Sequence, residues 1–138
     1  MAKAKRVAVT MAKDDDMCPC GFASPYADHC ATIHLGSAGL GATAEALMRA
    51  RYSAYVLYDR PFLLTSWHPD TRPTSIDFDD NIEWLGLEIV DTESGGALDS
   101  TGIVEFRARF SRSGEHLELH ERSSFARAGG LWVYISGT

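Results

Sequence analysis

From Ile82 to the C-terminus the chain alternates with the period of a half-buried sheet. Gly102–Ser111 (GIVEFRARFS) puts Val104, Phe106, Ala108 and Phe110 on one side and Glu105, Arg107 and Arg109 on the other. Successive side chains of a strand point to opposite faces, so this pattern belongs to a strand and not to a helix. His116–Arg127 (HLELHERSSFAR) alternates again, with Leu117, Leu119 and Phe125 together, and Ile82–Asp91 and Leu131–Ile135 flank the pair. The turn sequences ESGG, RSG and AGG separate the segments. Strands joined by tight turns predict an antiparallel meander with one apolar face.

The helices come before the strands. Residues 42–58 (ATAEALMRARYSAYVLY) lack Gly and Pro, and Leu47, Ala50, Ala54 and Leu57 recur at helical spacing behind Thr43, a good N-cap. A shorter helix is expected after Asp59, with Pro61 in its first turn and PFLLTSW as its body, ending before Pro69. Helices first and an antiparallel sheet afterwards predict an α+β fold, with the helices packed on one sheet face. If the sheet curls around them it forms a cone able to hold a small molecule, the shape of cystatin-like domains related to nuclear transport factor 2.

The amino-terminal part follows another logic. All three cysteines, Cys18, Cys20 and Cys30, lie close together, and none follows Cys30. An odd number in so short a stretch favours a metal over a disulfide framework. Cys18-Pro19-Cys20, eight residues (21–28) and His29-Cys30 present four soft donors in two close pairs. Thiolate and imidazole suit one Zn²⁺ in a closed tetrahedron, and four protein ligands leave no position for water, so the site is expected to be structural. His34 is an alternative to His29 as the fourth ligand. Gly21 supplies the positive φ that a tight turn behind a ligand often needs. The chain therefore divides into a flexible arm (1–16), a zinc module (17–35) with no apolar core of its own, a GSAGLG linker (36–41) and the α+β domain (42–138).

Charge excludes one class of function. Thirteen basic residues against nineteen acidic give a net charge of −6, which argues against a general nucleic-acid binder. The lysines sit in the arm as Lys3, Lys5 and Lys13, whereas the stretch between His68 and Asp99 is strongly acidic. No apolar run is long enough to span a bilayer, and the amino-terminal residues lack the apolar core of a secretory signal, so a cytoplasmic protein is expected.

Alternation also places polar residues where the core should be. Glu121 and Ser123 fall on the same side as Leu117, Leu119 and Phe125. An ionised glutamate there needs a partner, and Arg49, Arg51 or Arg72 could supply a buried bridge. Alternatively Glu121 lines the cone as a general base, with Trp67 and His68 closing its mouth. The other face, with Glu105, Arg107, Arg109, Glu118, His120 and Arg122, is a solvated charged surface or a homodimer interface. Trp132 and Tyr134 share one face of the last strand, and would mark an interface if that face were the charged one.

Cys18-Pro19-Cys20-Gly21, Tyr26 and His29-Cys30 resemble the SEC-C motif, the zinc module at the end of the SecA translocase ATPase. LMRARYSAYV (47–56), TSWHPDTRP (65–73), WLGLEIV (84–90), VEFRARF (104–110), LHERSSF (119–125) and LWVY (131–134) resemble the YchJ family of small bacterial proteins, UPF0225. The resemblance implies a SEC-C module ligating zinc through Cys18, Cys20, His29 and Cys30, followed by a nuclear transport factor 2-like domain. Where SEC-C motifs usually read Gly-Ser-Gly-Lys, this chain reads Gly21-Phe22-Ala23-Ser24, so a cation that could meet a partner is missing. The family resemblance supplies architecture and metal but no reaction. Two functions are therefore expected as alternatives. One is a non-enzymatic adaptor that meets a protein partner through its zinc module. The other is a small-molecule binder or enzyme using the cone, with Glu121 or His68 as catalytic candidates.

Overall fold

The computed structural model describes residues 17–22, 24–34 and 43–138. The expected arm (1–16) and linker (36–41) lie outside the described residues. After a 3₁₀ turn, Tyr26–Asp28, come helix α1 (Cys30–His34), helix α2 (Ala44–Val56) and helix α3 (Arg60–Thr65), then strands β1 (Ile82–Ser94), β2 (Thr101–Arg112), β3 (Glu115–Ala128) and β4 (Leu131–Gly137). The sheet is antiparallel in the order β1-β2-β3-β4, the expected meander.

Local chemistry sets the helix starts. Thr43 caps α2 by accepting from the Ala46 amide at 3.1 Å, and Asp59 caps α3 by accepting from the Phe62 amide at 3.2 Å. The β3–β4 turn has both Gly129 and Gly130 at positive φ, as a tight two-residue hairpin requires. Leu85 and Val90 sit at register shifts in β1, and these bulges bend the strand. The sheet therefore curves, and α2 lies in its concavity.

The concave face carries Val104, Phe106 and Ala108 of β2, Ser123 and Phe125 of β3, and Trp132 of β4, all buried against Leu47, Met48, Ala50 and Tyr52 of α2. Trp132 and Tyr134 thus face the interior, not the charged surface. The apolar side of β3 is covered only in its second half. Phe125 is 1% exposed, whereas Leu117 and Leu119, on the same side, are 36% and 40% exposed; at that end of the sheet Tyr52 and Tyr55 of α2 pack on Trp84 of β1. The 66–68 segment shields the β4 edge: Tyr134 donates to the Ser66 carbonyl at 2.8 Å and His68 to the Tyr134 carbonyl at 2.7 Å.

Candidate functional site

The amino-terminal turn is built around sulfur. Gly21, at φ +87°, closes a turn in which its amide donates to the Cys18 carbonyl at 3.0 Å. The amide of Cys18 donates to the Ser24 carbonyl at 2.9 Å, which brings the strand back and sets up the 3₁₀ turn before His29. One donor atom each from Cys18, Cys20, His29 and Cys30 lies within 4.8 Å of every other. The His29 Nδ1 stands 3.4 Å from both the Cys20 and Cys30 sulfurs. Zinc–sulfur and zinc–nitrogen bonds of ~2.3 and ~2.0 Å at a tetrahedral angle separate S from N by about 3.5 Å, so the spacing fits one tetrahedral ion. The cluster is a group that could hold a metal ion.

Electrostatics point the same way. Hydrogen bonds from the Cys20 and Cys30 thiols pull the Cys18 thiol far below its ordinary value, and Cys18 in turn pushes both of those thiols up. Three sulfurs this close support one thiolate by themselves; a bound dication is what lets three coexist. Cys20 and Cys30 are fully buried and Cys18 nearly so.

The shell around the cluster comes from α2. Arg49 donates to the Cys20 carbonyl at 3.1 Å and places Nη1 4.0 Å from the Cys20 sulfur, while the Ser53 hydroxyl lies 3.7 Å from the Cys18 sulfur. Phe22 stacks flat on His29 at 4.4 Å, and the Arg49 guanidinium lies 5.7 Å from the Phe22 ring centre. Arg49, expected as a partner of Glu121, therefore faces the cluster. Positions 49 and 51 are two residues apart on a helix, about 200° around the axis, so they address opposite sites. His34, the alternative ligand, is occupied elsewhere. Its Nε2 bonds the Ala50 carbonyl and its Nδ1 the Tyr26 hydroxyl, each at 2.7 Å.

A second site opens on the other side of α2. A cavity of about 240 Å³ lies against the concave sheet, walled by Met48, Trp67, Trp84, Phe106 and Tyr134, with Arg51, Glu121 and Ser123 also on its surface. Glu121 makes no bridge to the candidate arginines. Its Oε2 accepts from the Ser123 hydroxyl at 2.6 Å and the Tyr134 hydroxyl at 3.2 Å. Arg51 donates instead from Nη1 to the Leu63 carbonyl and the Ser66 hydroxyl, at 2.9 and 2.7 Å. Burial pulls the Arg51 guanidinium down to about 10, and burial together with the nearby Glu121 pushes the Tyr134 hydroxyl up to about 12.

The remaining candidates lie apart. Arg72 donates through Nε and Nη2 to the Trp67 carbonyl and lines a separate groove with Phe62 and Trp132. His68 accepts from the Asp70 amide at 3.0 Å and does not line the cavity. Sequence reasoning missed Met48 and Tyr55 in the cavity wall. Their spacing three before and four after Arg51 on one helix was the available signal.

Residues 43–137 match the family described as YchJ, middle NTF2-like domain. The chain is 50% identical over 120 residues to a UPF0225 protein of Streptomyces coelicolor, spanning 87% of this chain and 93% of that one. The chain belongs to the YchJ family of UPF0225 proteins. A UPF0225 protein of Chromobacterium violaceum is 44% identical over 87% of this chain and 90% of its own. The fold is also that of a SEC-C motif-containing protein from Rhodopseudomonas palustris, with a TM-score of 0.77, 33% identity, and 88% and 97% of the two chains covered. A SEC-C motif-containing protein from Psychrobacter arcticus gives 0.70 at 28% identity, over 89% and 82%. YchJ-family architecture thus combines the Cys/His cluster with the NTF2-like domain, and no described helix is long and apolar enough to cross a membrane.

Proposed function

We propose that this chain is a cytoplasmic small-ligand-binding protein, with one structural Zn²⁺ held by Cys18, Cys20, His29 and Cys30 and its working site in the cavity beneath α2. The single observation that carries the reading is a cavity holding a buried arginine and a carboxylate that bond to other partners and not to each other. Unfilled space in a core forfeits packing energy, so a chain with no ligand to hold gains nothing from it. At about 240 Å³ the cavity falls below the ~300 Å³ at which drug-sized sites begin. It suits a molecule with one ring.

Zinc is supported by the donor set, three thiolates and an imidazole, and a structural role by four protein donors, enough to fill a tetrahedron. When bound, the ion fixes the turn on which Cys18, Cys20, His29 and Cys30 sit. Within the cavity Glu121 is the group suited to move a proton, held by Ser123 and Tyr134 through one oxygen. Arg51 orients the ligand, and the aromatic walls exclude water.

The test uses zinc-loaded full-length protein titrated with 4-methylphenol and followed by NMR. Saturable shifts are expected at Ala108 and Ser123, and Leu119→Trp, at the exposed rim of the cavity, should abolish them. Absence of any shift up to about 10 mM, with 4-methylphenol and with 4-hydroxybenzoate alike, contradicts the reading.

A non-enzymatic adaptor is the second reading, supported by the exposure of two large apolar side chains on the metal module, Met17 at 60% and Phe22 at 48%. A homodimer through the convex face belongs with it. There Arg122 bonds Asp91, Glu93 and Glu105, and His120 bonds Glu105. Sedimentation of the full chain distinguishes a monomer from that dimer.

A further inference from the structure

The occupant of the cavity is narrowed by the two charges on its wall. Arg51 is 3% exposed. Its Nη1 hydrogens go to the Leu63 carbonyl and the Ser66 hydroxyl. Both acceptors are neutral. The guanidinium lies over the rings of Trp67 and Tyr134, 4.8 and 4.6 Å from their centroids, and ring faces attract a cation without neutralising it. A guanidinium has five N–H donors, so the other three have no hydrogen-bond acceptor among the described residues. The indole N–H of Trp67, another wall residue, is likewise buried without an acceptor. A buried cation beside an orphaned donor is short of an anion.

Glu121 supplies the opposite character. Both of its hydrogen bonds are accepted by Oε2, which leaves Oε1 without a donor among the described residues. The carboxylate is packed against Gly137 so closely that a Cβ there would overlap it. Arg51 lies over the Tyr134 ring and Glu121 meets the hydroxyl of the same ring. Both charges therefore border the Tyr134 ring, beside the flat apolar walls of Trp67 and Trp84.

We propose that the cavity binds a single-ring aromatic carboxylate carrying a hydroxyl or amino group at the end away from the carboxylate. The carboxylate meets Arg51 and the Trp67 N–H, and the hydroxyl or amino hydrogen meets Oε1 of Glu121. An uncharged aromatic leaves the guanidinium unmatched, and a simple aromatic acid leaves Glu121 unmatched. The proposal rests on the cavity being a ligand site, and its test separates the two claims.

Zinc-loaded full-length protein is titrated at pH 7 with 4-hydroxybenzoate, its methyl ester, benzoate and 4-methylphenol. The acid should bind at least about tenfold tighter than the ester, and about threefold or more tighter than benzoate. In Arg51→Gln the acid and ester should come within about twofold of one another. Because that variant also loses a contact to α3, Glu121→Gln provides an independent readout. It removes the like charge, so benzoate should tighten several-fold while the advantage of the 4-hydroxyl shrinks. Equal affinity for acid and ester in the wild-type chain, or an unchanged ratio in Arg51→Gln, overturns the ligand class while 4-methylphenol binding upholds the cavity. Binding of none of the four overturns both.

Discussion

The imidazole of His34 donates from Nε2 to the carbonyl oxygen of Ala50 at 2.7 Å. A carbonyl only accepts, so Nε2 carries a proton, and Nδ1 shares a hydrogen bond with the Tyr26 hydroxyl. This joint fastens the metal module to α2, the helix that also carries Arg49 and Ser53 to the cluster and Arg51 to the cavity. His34→Ala should therefore cost about 2–4 kcal/mol of stability through lost hydrogen bonds and packing against Phe62. It should leave about one zinc per chain, since His34 lies outside the proposed ligand set of Cys18, Cys20, His29 and Cys30. Urea unfolding with metal analysis checks both halves, and loss of the metal would instead make His34 a ligand.

Removing a thiol reaches further than the module. Cys18, Cys20 and Cys30 belong to the same buried cluster as Leu47, Met48 and Tyr52. Cys20→Ser should reduce metal content to well under one ion per chain and loosen residues 17–34, while the sheet stays folded. The thermal midpoint of the whole chain should fall, because α2 loses part of its packing. Amide exchange of α2 and of β2, compared between the two proteins, measures the spread of the effect.

Alkaline pH tests the interior. Burial raises Tyr52 to about 12, and burial with Glu121 raises Tyr134 to about 12, against an ordinary value near 10. Between those values the unfolded chain has released protons that the folded chain still holds, so stability is complete below pH ~10 and falls as pH rises toward ~12. Absorbance at 295 nm should show late-ionising tyrosines. Glu121→Gln should bring Tyr134 earlier and leave Tyr52 where it is.

Gly137 is the neighbour that lets Glu121 sit where it does. Gly137→Ala places a methyl group in the carboxylate's position and should cost about 1–3 kcal/mol. Affinity for 4-hydroxybenzoate should fall with it. A variant with wild-type stability and affinity would show that the carboxylate is not confined.

Much of the fold is legible in the amino-acid sequence. Alternation with Gly-containing turns locates the strands to within a few residues, and Thr43 and Asp59 announce their helices through capping chemistry. Period alone places Glu121 and Ser123 on the inner face. The sequence is silent on which strands α2 covers at each end of the sheet, and so on why Leu117 and Leu119 are open while Phe125 is buried. It is silent too on α1, whose single turn is stabilised by contacts with α2 and the cluster and not by propensity. The division of labour between Arg49 and Arg51 follows from helix geometry, but which site each faces depends on tertiary packing.

X-ray absorption at the zinc edge of protein purified without chelator tests the metal assignment most directly. One zinc per chain with three sulfurs at ~2.3 Å and one nitrogen at ~2.0 Å is the expected result. Protein that is folded, fully reduced and free of transition metal, or an ion bound by fewer than three sulfurs, would contradict it.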